Sequence, residues 1–195
     1  NSFCTLLGVL QASMSLDEGL KPLPRVPLHT YVHLFNGVAA TLRTVPRTLG
    51  DSEWEERLNT LGQAVGRRTL AQTDATVPRM QTPEEAGVFA AHVLWKQWFG
   101  QPAKDHFAGQ DGGSYHLNED LPFLWQRPDP DPHKGTHEQL HLGAFVAGML
   151  KGVLDGCGFL CDVSANYIDA APGAAQTQYS IHWAASVLRR HGRKT

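Results

Sequence analysis

The chain has 195 residues, and its 17 Lys and Arg against 19 Asp and Glu give a formal net charge of −2 at pH 7. This balance argues against a dedicated nucleic-acid-binding protein, because such proteins usually carry a strongly basic domain. Hydrophobic residues make up 42% and charged residues 18% of the sequence, a composition that buries a core and is not typical of disordered chains. One domain over residues 1–195 is expected at this length. The longest apolar stretch near the start, residues 3–10, is far shorter than the roughly 20 residues of a membrane-spanning helix, so none is expected.

The cysteine content indicates a reducing compartment. Cys4, Cys157 and Cys161 form an odd number, which gives no disulfide framework. Cys157 and Cys161 are also separated by three residues, which is not the spacing of a C-x-x-C redox pair. All three are therefore expected to be free thiols.

Two helices are predicted in the first third of the chain. Three prolines between residues 22 and 27 predict an extended segment over 1–27. Apolar residues at helical spacing from Leu28 then predict a first helix that ends before Pro46. Ser52, followed three residues later by Glu55, forms a capping box that predicts the start of a second helix. The apolar face of this second helix carries Trp54, Leu58, Leu61, Val65 and Leu70.

Gly62 and Gly66 lie four residues apart inside the second predicted helix. Each costs about 0.5–1 kcal/mol relative to alanine in a helix. Glycines at this spacing indicate that another backbone approaches the helix closely.

A third helix is predicted from Thr82, which can act as N-cap with Pro83 at the first helical position, to Gly100. Its apolar residues cover more than one narrow stripe, so it is expected to be a core helix buried over much of its circumference. These residues are Val88, Phe89, Val93, Leu94, Trp95, Trp98 and Phe99.

A glycine-rich turn over 109–113 precedes two short predicted strands, 114–118 and 123–126, joined by a tight turn near Glu119 and Asp120. A fourth helix follows and ends at Gly158 in the left-handed conformation. Its buried face comprises Leu142, Phe145, Val146, Met149, Leu150, Val153 and Leu154.

The last third alternates between apolar and polar residues, which predicts a hairpin. The inward positions are Phe159, Cys161, Val163, Ala165 and Tyr167 on one strand, and Tyr179, Ile181, Trp183, Ala185 and Val187 on the other. The intervening residues 168–176 are expected to form a flexible loop, and 188–195 a solvated basic tail. The whole pattern predicts an α+β fold, with a helix-rich layer of four main helices packed on a small twisted antiparallel sheet of about four strands.

Residues 137–141 read H-E-Q-L-H, a literal H-E-x-x-H. On a helix this spacing presents two imidazoles to Zn²⁺, with Glu138 as general base. A catalytic zinc needs a third protein ligand, and the extended motif fails because Ala144 and Ala147 stand where glycine and histidine belong. No metal and no cofactor is therefore expected, and zinc binding by His137 and His141 is kept as an alternative.

Four stretches of the sequence resemble small subunits of the TRAPP vesicle-tethering complex. Residues 58–68 are similar to the family's L-x-x-L-G-x-x-V-G-x-R pattern, and residues 95–100 to its W-K-x-x-F-G pattern. Residues 115–124 resemble its short strand pair, and 145–159 its F-x-A-G-x-x-x-x-V-L-x-x-x-G-F pattern. Order and spacing match the subunit 5 branch over about residues 28–167. The motif residues are Gly62, Gly66, Trp95, Phe99, Gly100, Phe145, Gly148, Leu154, Gly158 and Phe159.

The resemblance implies a non-catalytic scaffold subunit that pairs with other TRAPP small subunits through the first two helices. The family's complex tethers vesicles in ER-to-Golgi transport and, as an assembly, promotes nucleotide exchange on a Rab GTPase. A cytoplasmic location, peripheral to Golgi and ER membranes, follows from the same resemblance. Candidate subunit contacts are Tyr31, Phe35, Trp54, Leu58, Gly62 and Gly66. Leucine at Gly62 or Gly66 is expected to block assembly and leave the monomer intact.

Two other function classes stay open at this point. One is a zinc-dependent peptidase that uses His137, Glu138 and His141. The other is an acyl-chain-binding module with an apolar pocket lined by Phe89, Leu94 and Phe145. A related branch of the family carries an acylated cysteine just before the third helix. Residues 76–81 contain no cysteine here, so a covalent palmitate is not expected.

Overall fold

The computed structural model describes residues 51–72, 77–119, 141, 143–171 and 174–191. The extended segment 1–27, the first predicted helix and the predicted strand 123–126 lie outside these residues. Cys4, Tyr31 and Phe35 also lie outside them.

Helix α1, Asp51–Gln72, is the second predicted helix. Trp54, Leu58 and Val65 are buried on its apolar face, as the spacing predicts. The capping box is wrong: the helix already begins at Asp51, so Ser52 lies inside it. Glu55 Oε1 instead accepts a hydrogen bond of 2.7 Å from the His141 backbone N–H, which ties α1 to the chain just before the next long helix.

Residues 83–99 form one continuous helical rod with an irregular middle. It comprises α2 (Pro83–Phe89), a π-helical turn (Ala90–Leu94) and α3 (Trp95–Phe99). Thr82 is the predicted N-cap, and its hydroxyl accepts the Glu85 N–H at 3.1 Å. Gly100 ends the rod with a φ of 80°. Two of the residues expected to be buried on this helix, Val88 and Val93, are instead 40% and 42% exposed.

Four antiparallel strands form one sheet in the order β1-β2-β4-β3. The strands are β1 (Asp105–Ala108), β2 (Ser114–Glu119), β3 (Cys161–Ala171) and β4 (Ala174–Trp183). Strand β2 was predicted, but Glu119 continues it and pairs with Thr177 instead of entering a turn. Strand β1 was not predicted, and it forms a hairpin with β2 across the glycine-rich turn 109–113.

The predicted hairpin is confirmed as β3 and β4, but both of its ends differ from the prediction. Residues expected to form a flexible loop are paired, with Ile168 opposite Gln176 and Ala171 opposite Ala174. At the other end, Ala185 and Val187 leave the sheet and lie in helix α5, Ala185–His191. The basic tail is therefore not merely solvated at its start. Arg190 donates to the Gly158 carbonyl at 2.9 Å.

Helix α4, Ala144–Gly156, is the predicted fourth helix and packs mainly on α1 and on β3. Gly158 follows it with the predicted left-handed φ, 85°. Side chains from α4, the rod 83–99 and one face of the sheet meet in a single core, with Phe145, Leu94 and Tyr179 among its fully buried members. This is the predicted α+β fold. None of the helices in the described ranges combines the length and apolar character needed to cross a membrane.

Candidate functional site

Helices α1 and α4 cross at a four-glycine contact. A Cβ atom built on Gly62 would meet the carbonyl oxygen of Phe145 and would lie 2.9 Å from the Met149 nitrogen. From the other helix, a Cβ atom on Gly148 would meet the Asn59 carbonyl, and one on Gly152 would meet the Gln63 carbonyl. Each glycine therefore accommodates the backbone of the opposite helix.

The candidate subunit contacts on α1 lie largely inside this chain. Trp54 and Leu58 are 6% and 4% exposed, and Gly62 and Gly66 face the backbone of α4. The predicted close approach of a backbone is present, and that backbone belongs to the same chain. Leucine at Gly62 would therefore disrupt the monomer's own packing. Contact of these four residues with a neighbouring subunit stays a prediction.

The opposite face of α1 is exposed. Thr60 and Ala64 occupy its middle, Arg67 and Arg68 one end, and Glu53 the other. Glu53 pairs with Arg57 at 3.3 Å, an exposed i,i+4 ion pair that contributes little to stability. This exposed α1 face is defined by Glu53, Thr60, Ala64, Arg67 and Arg68. It has small side chains at its centre and charged side chains at both ends.

The remaining motif residues hold the core together. Trp95 contacts Phe99 and Tyr179, with ring centroids 4.7 and 5.1 Å apart. Phe159 follows the Gly158 turn and packs beneath α5, where the His191 ring stacks on it at 5.6 Å. Phe145 and Leu154 are buried on α4. The candidate pocket residues Phe89, Leu94 and Phe145 are likewise in the core, at most 4% exposed.

His141, the second histidine of the H-E-x-x-H sequence, is buried ahead of α4 and not on it. Its Nδ1 accepts the Gly143 N–H at 3.0 Å, and its ring stacks on Tyr167 with centroids 3.9 Å apart. Burial lowers the pKa of His141 to about 4. Neutral imidazole with an accepting Nδ1 carries its proton on Nε2, which is buried and has no hydrogen-bond partner among the residues that the structure describes.

Of the residues in the zinc alternative, the structure describes His141 alone. His137 and Glu138 lie outside the described part of the chain. Within it, no three His, Cys, Asp or Glu side chains are grouped as metal ligands. The contacts that hold His141 in place are its backbone hydrogen bond to Glu55, its ring hydrogen bond from Gly143 and its stacking on Tyr167.

A charged cluster joins α4 to β3. Lys151 Nζ donates to the Cys161 carbonyl and to Asp162 Oδ1, the latter at 3.1 Å, and lies 3.4 Å from Asp155. Asp155 in turn accepts the Cys161 N–H at 3.0 Å. Burial acts to lower the pKa of Lys151, but Asp162 and Asp155 outweigh it and the pKa is raised.

Both described cysteines are free, as predicted. Cys161 is buried in the core, where burial above all raises its pKa to about 12. Burial also raises the pKa of Cys157. Neither thiol is activated for nucleophilic chemistry, because the thiolate is the reactive form.

Sequence reasoning missed a pair of histidines that the fold brings together. His92 lies in the π-helical turn and His106 on β1, and their Nε2 atoms are 3.0 Å apart. His106 Nδ1 is 2.6 Å from the hydroxyl of Tyr115. Burial, followed by the nearby His92, lowers the pKa of His106. Burial raises the pKa of Tyr115, so its phenol is neutral at pH 7. No sequence motif marks this pair, because 14 residues separate its members.

The outer face of the sheet carries a second polar cluster. His116 bridges two strands, with Nδ1 3.0 Å from Ser180 Oγ and Nε2 3.2 Å from Ser114 Oγ. Asp111 accepts the Gly113 N–H at 2.9 Å and fixes the turn beside Ser114. Both serine hydroxyls are thereby held between neighbours in the sheet, which is a structural use of these groups.

Comparison with solved structures supports the observed fold. Subunit 3 of a trafficking protein particle complex from Naegleria fowleri, covalently bound to palmitic acid, has a TM-score of 0.62 at 15% identity. The match covers 80% of this chain and 93% of that one. An H-NOX protein from S. oneidensis has a TM-score of 0.47 at 11% identity, over 93% of this chain and 89% of that one, which supports no inference. Comparison with curated proteins gave no match.

Comparison with family patterns settles the assignment. The pattern of the transport protein particle (TRAPP) components matches residues 33–182, which is most of the 195-residue chain. The match spans the α1–α4 crossing, strands β1 to β3 and all of β4 except Trp183. The chain belongs to the family of TRAPP components, the subunits of a vesicle-trafficking complex.

Proposed function

We propose that this chain is a non-catalytic scaffold subunit of the subunit 5 branch, and that its complex tethers vesicles in ER-to-Golgi transport. The observation that carries the proposal is the close crossing of α1 and α4, where three of the four contacting glycines, Gly62, Gly66 and Gly148, belong to the family resemblance. A crossing with backbone-to-backbone contact is rigid, because no side chain can rearrange between the helices. Rigidity suits a subunit whose task is to hold its neighbours in a fixed geometry.

The chemistry of the described residues also favours a scaffold. Cys161 is buried with a raised pKa, and Ser114 and Ser180, whose hydroxyls lie beside His116, are only 7% and 6% exposed. Reactive nucleophiles instead need exposure and a lowered pKa or an adjacent general base aimed at a substrate. Nucleotide exchange on a Rab GTPase is accordingly proposed for the assembled complex and not for this chain alone.

We assign the exposed α1 face as a contact for a neighbouring TRAPP subunit. Its centre, Thr60 and Ala64, is small and uncharged, so a partner helix can approach it closely. One end carries Arg67 and Arg68, whereas at the other end Glu53 is already paired with Arg57. Complementary charges on a partner would fix the orientation of the two subunits. We also propose that the complex lies in the cytoplasm at the Golgi and ER membranes. Any peripheral contact with these membranes would then be made by the surface of the assembled complex.

The test is co-purification of the tagged full chain from cells, followed by mass spectrometry. Wild type is expected to recover other TRAPP subunits. Ala64→Arg places a charge in the centre of the exposed α1 face and is expected to lower that recovery at least tenfold without changing the melting temperature. Ser164→Arg, at an exposed position on the outer face of β3, is the matched control and is expected to recover the same subunits as wild type.

The outcomes separate the two parts of the proposal. Absence of TRAPP subunits from the wild-type sample overturns the scaffold role. Equal recovery by wild type and Ala64→Arg leaves the scaffold role standing and overturns the assigned face. For the exchange role, complex assembled with and without this chain is compared for GDP release from a Rab GTPase, and equal rates overturn its contribution.

A further inference from the structure

The Nε2 atoms of His92 and His106 point at each other across the junction of the helical rod and the sheet, 3.0 Å apart. Their rings are nearly perpendicular, with an interplanar angle of 84° and centroids 4.7 Å apart. His92 is exposed and His106 half-buried, so a small ligand can reach the space between the two nitrogens. Two imidazole nitrogens converging on one accessible point resemble the donor arrangement of a metal site.

The backbone around His92 is shaped for this convergence. The residue lies in the middle of the π-helical turn Ala90–Leu94, and single π turns inside α-helices are frequently found at functional sites. The Ala91 carbonyl in the same turn accepts the Ala103 N–H at 2.8 Å. This bond anchors the segment that leads into β1, and so it fixes the distance between His92 and His106.

The second nitrogen of His106 is oriented in the way that metal-ligating histidines usually are. Its Nδ1 lies 2.6 Å from Tyr115 Oη, and Tyr115 is 3% exposed. A ligating histidine typically donates its other N–H to an oxygen, which fixes the tautomer and aims the free lone pair at the metal. The Tyr115 ring is held in turn by Gly87, where a Cβ atom would overlap it.

We propose that His92 and His106 bind one divalent transition-metal ion through their Nε2 atoms, with Tyr115 as the positioning residue for His106. At metal–nitrogen distances of about 2.0–2.1 Å, two nitrogens 3.0 Å apart subtend about 95° at the metal. That angle is closer to the 90° of tetragonal or octahedral coordination than to a tetrahedron, and it suits Cu²⁺ or Ni²⁺ better than Zn²⁺. Water would fill the other positions.

Binding requires one proton shift and no net proton release. In the free site one of the two rings carries a hydrogen on Nε2, in the hydrogen bond between them. When the metal is bound, the His92 proton resides on Nδ1. The His106 proton resides on Nδ1 and is donated to Tyr115. Both Nε2 lone pairs then face the ion, which links the π-helical turn to the edge strand β1.

The test is titration of the full chain with Cu²⁺ at pH 7.5, followed by calorimetry and electron paramagnetic resonance. Wild type is expected to bind one equivalent of Cu²⁺ at this site. His92→Gln and His106→Gln are expected to lose that equivalent or to bind it at least tenfold more weakly. The spectrum of that equivalent is expected to show coupling to two imidazole nitrogens in wild type and one in each variant. Tyr115→Phe is expected to weaken binding about tenfold.

The controls address the other histidines of the chain. His182→Gln removes an exposed histidine on the outer sheet face and is expected to keep the equivalent. Cu²⁺ is also expected to raise the melting temperature of wild type and His182→Gln but not of His92→Gln. The same stoichiometry, affinity and spectrum in wild type and His92→Gln would overturn the proposal. Loss of the equivalent in His182→Gln alone would equally overturn it.

Discussion

Gly62 and Gly148 touch across the crossing of α1 and α4, where a Cβ atom built on Gly62 would lie 3.0 Å from the Cα of Gly148. Alanine at Gly148 would overlap the Asn59 carbonyl of α1. Overpacking of a well-packed contact destabilises a protein by about 1–3 kcal/mol. Replacing a glycine inside a helix by alanine stabilises the helix by about 0.5–1 kcal/mol, which offsets part of that loss. We expect Gly62→Ala and Gly148→Ala to lower the free energy of unfolding by about 1–2 kcal/mol, measured by urea denaturation.

Gly156→Ala is the matched control for these two variants. Among the described residues, a Cβ atom on Gly156 would meet only the Cδ2 end of the Leu70 side chain, at 2.6 Å. A flexible side-chain end can move, whereas the carbonyl opposite Gly148 cannot. We expect the control to match wild type within about 0.5 kcal/mol. A loss at Gly156 equal to that at Gly148 would show that helix termination, and not backbone contact, sets the cost.

The stability of the protein is expected to fall between pH 6.5 and pH 4 because of His141. Its pKa is lowered from 6.5 to about 4 in the folded chain, so in this range the unfolded chain binds the extra proton. Stability therefore decreases as the pH falls, and the full contribution is present above the unfolded pKa. At about 1.4 kcal/mol per unit, the loss between pH 7 and pH 5 is about 2 kcal/mol.

The measurement is urea denaturation of wild type and His141→Phe at several pH values. Phenylalanine keeps the stacking on Tyr167 and cannot titrate, so its unfolding free energy is expected to fall less on acidification. His182→Gln, which removes an exposed histidine, is expected to keep the wild-type slope. Parallel curves for wild type and His141→Phe would rule out His141 as the source of the pH dependence.

Local signals predicted those elements whose ends are set by a few neighbouring residues. Thr82 and Pro83 define the start of the rod 83–99, and Gly100 and Gly158 end helices through positive φ values that glycine adopts readily. The two glycines of α1, Gly62 and Gly66, correctly predicted a close contact with another backbone. The partner was not predictable, because spacing along one helix says nothing about which chain or helix faces it.

Errors occurred where sheet pairing or helix register overrides the local pattern. The alternation of apolar and polar residues continues through Val187, yet β4 ends at Trp183. The neighbouring strands β2 and β3 begin at Ser114 and Cys161, so residues after Trp183 have no strand residue to pair with. The chain then folds into α5. In the rod, the π-helical turn shifts the register, which exposes Val93 and brings His92 towards β1. Periodicity at 3.6 residues cannot anticipate such a shift.

Lys151→Met tests the link between α4 and β3. The substitution removes the donor to the Cys161 carbonyl and leaves Asp155 without its cation. Since hydrogen bonds to charged groups contribute about 1.5–3 kcal/mol, we expect the free energy of unfolding to fall by about 2 kcal/mol. Asp162→Asn is the control, because the Asp162 side chain is 93% exposed and surface pairs contribute little. An equal loss in both variants would assign the link to the surface ion pair.

Cys157 and Cys161 are expected to resist alkylation in the folded protein. Burial above all raises the pKa of Cys161 to about 12 and raises the pKa of Cys157 as well, so the thiolate is scarce at pH 7.5. After treatment with iodoacetamide, digestion and mass spectrometry are expected to recover both cysteines unmodified. In urea both should react at the rate of free cysteine, because unfolding removes the burial that raises the pKa. Rapid modification of Cys161 in the native protein would contradict its placement in the core.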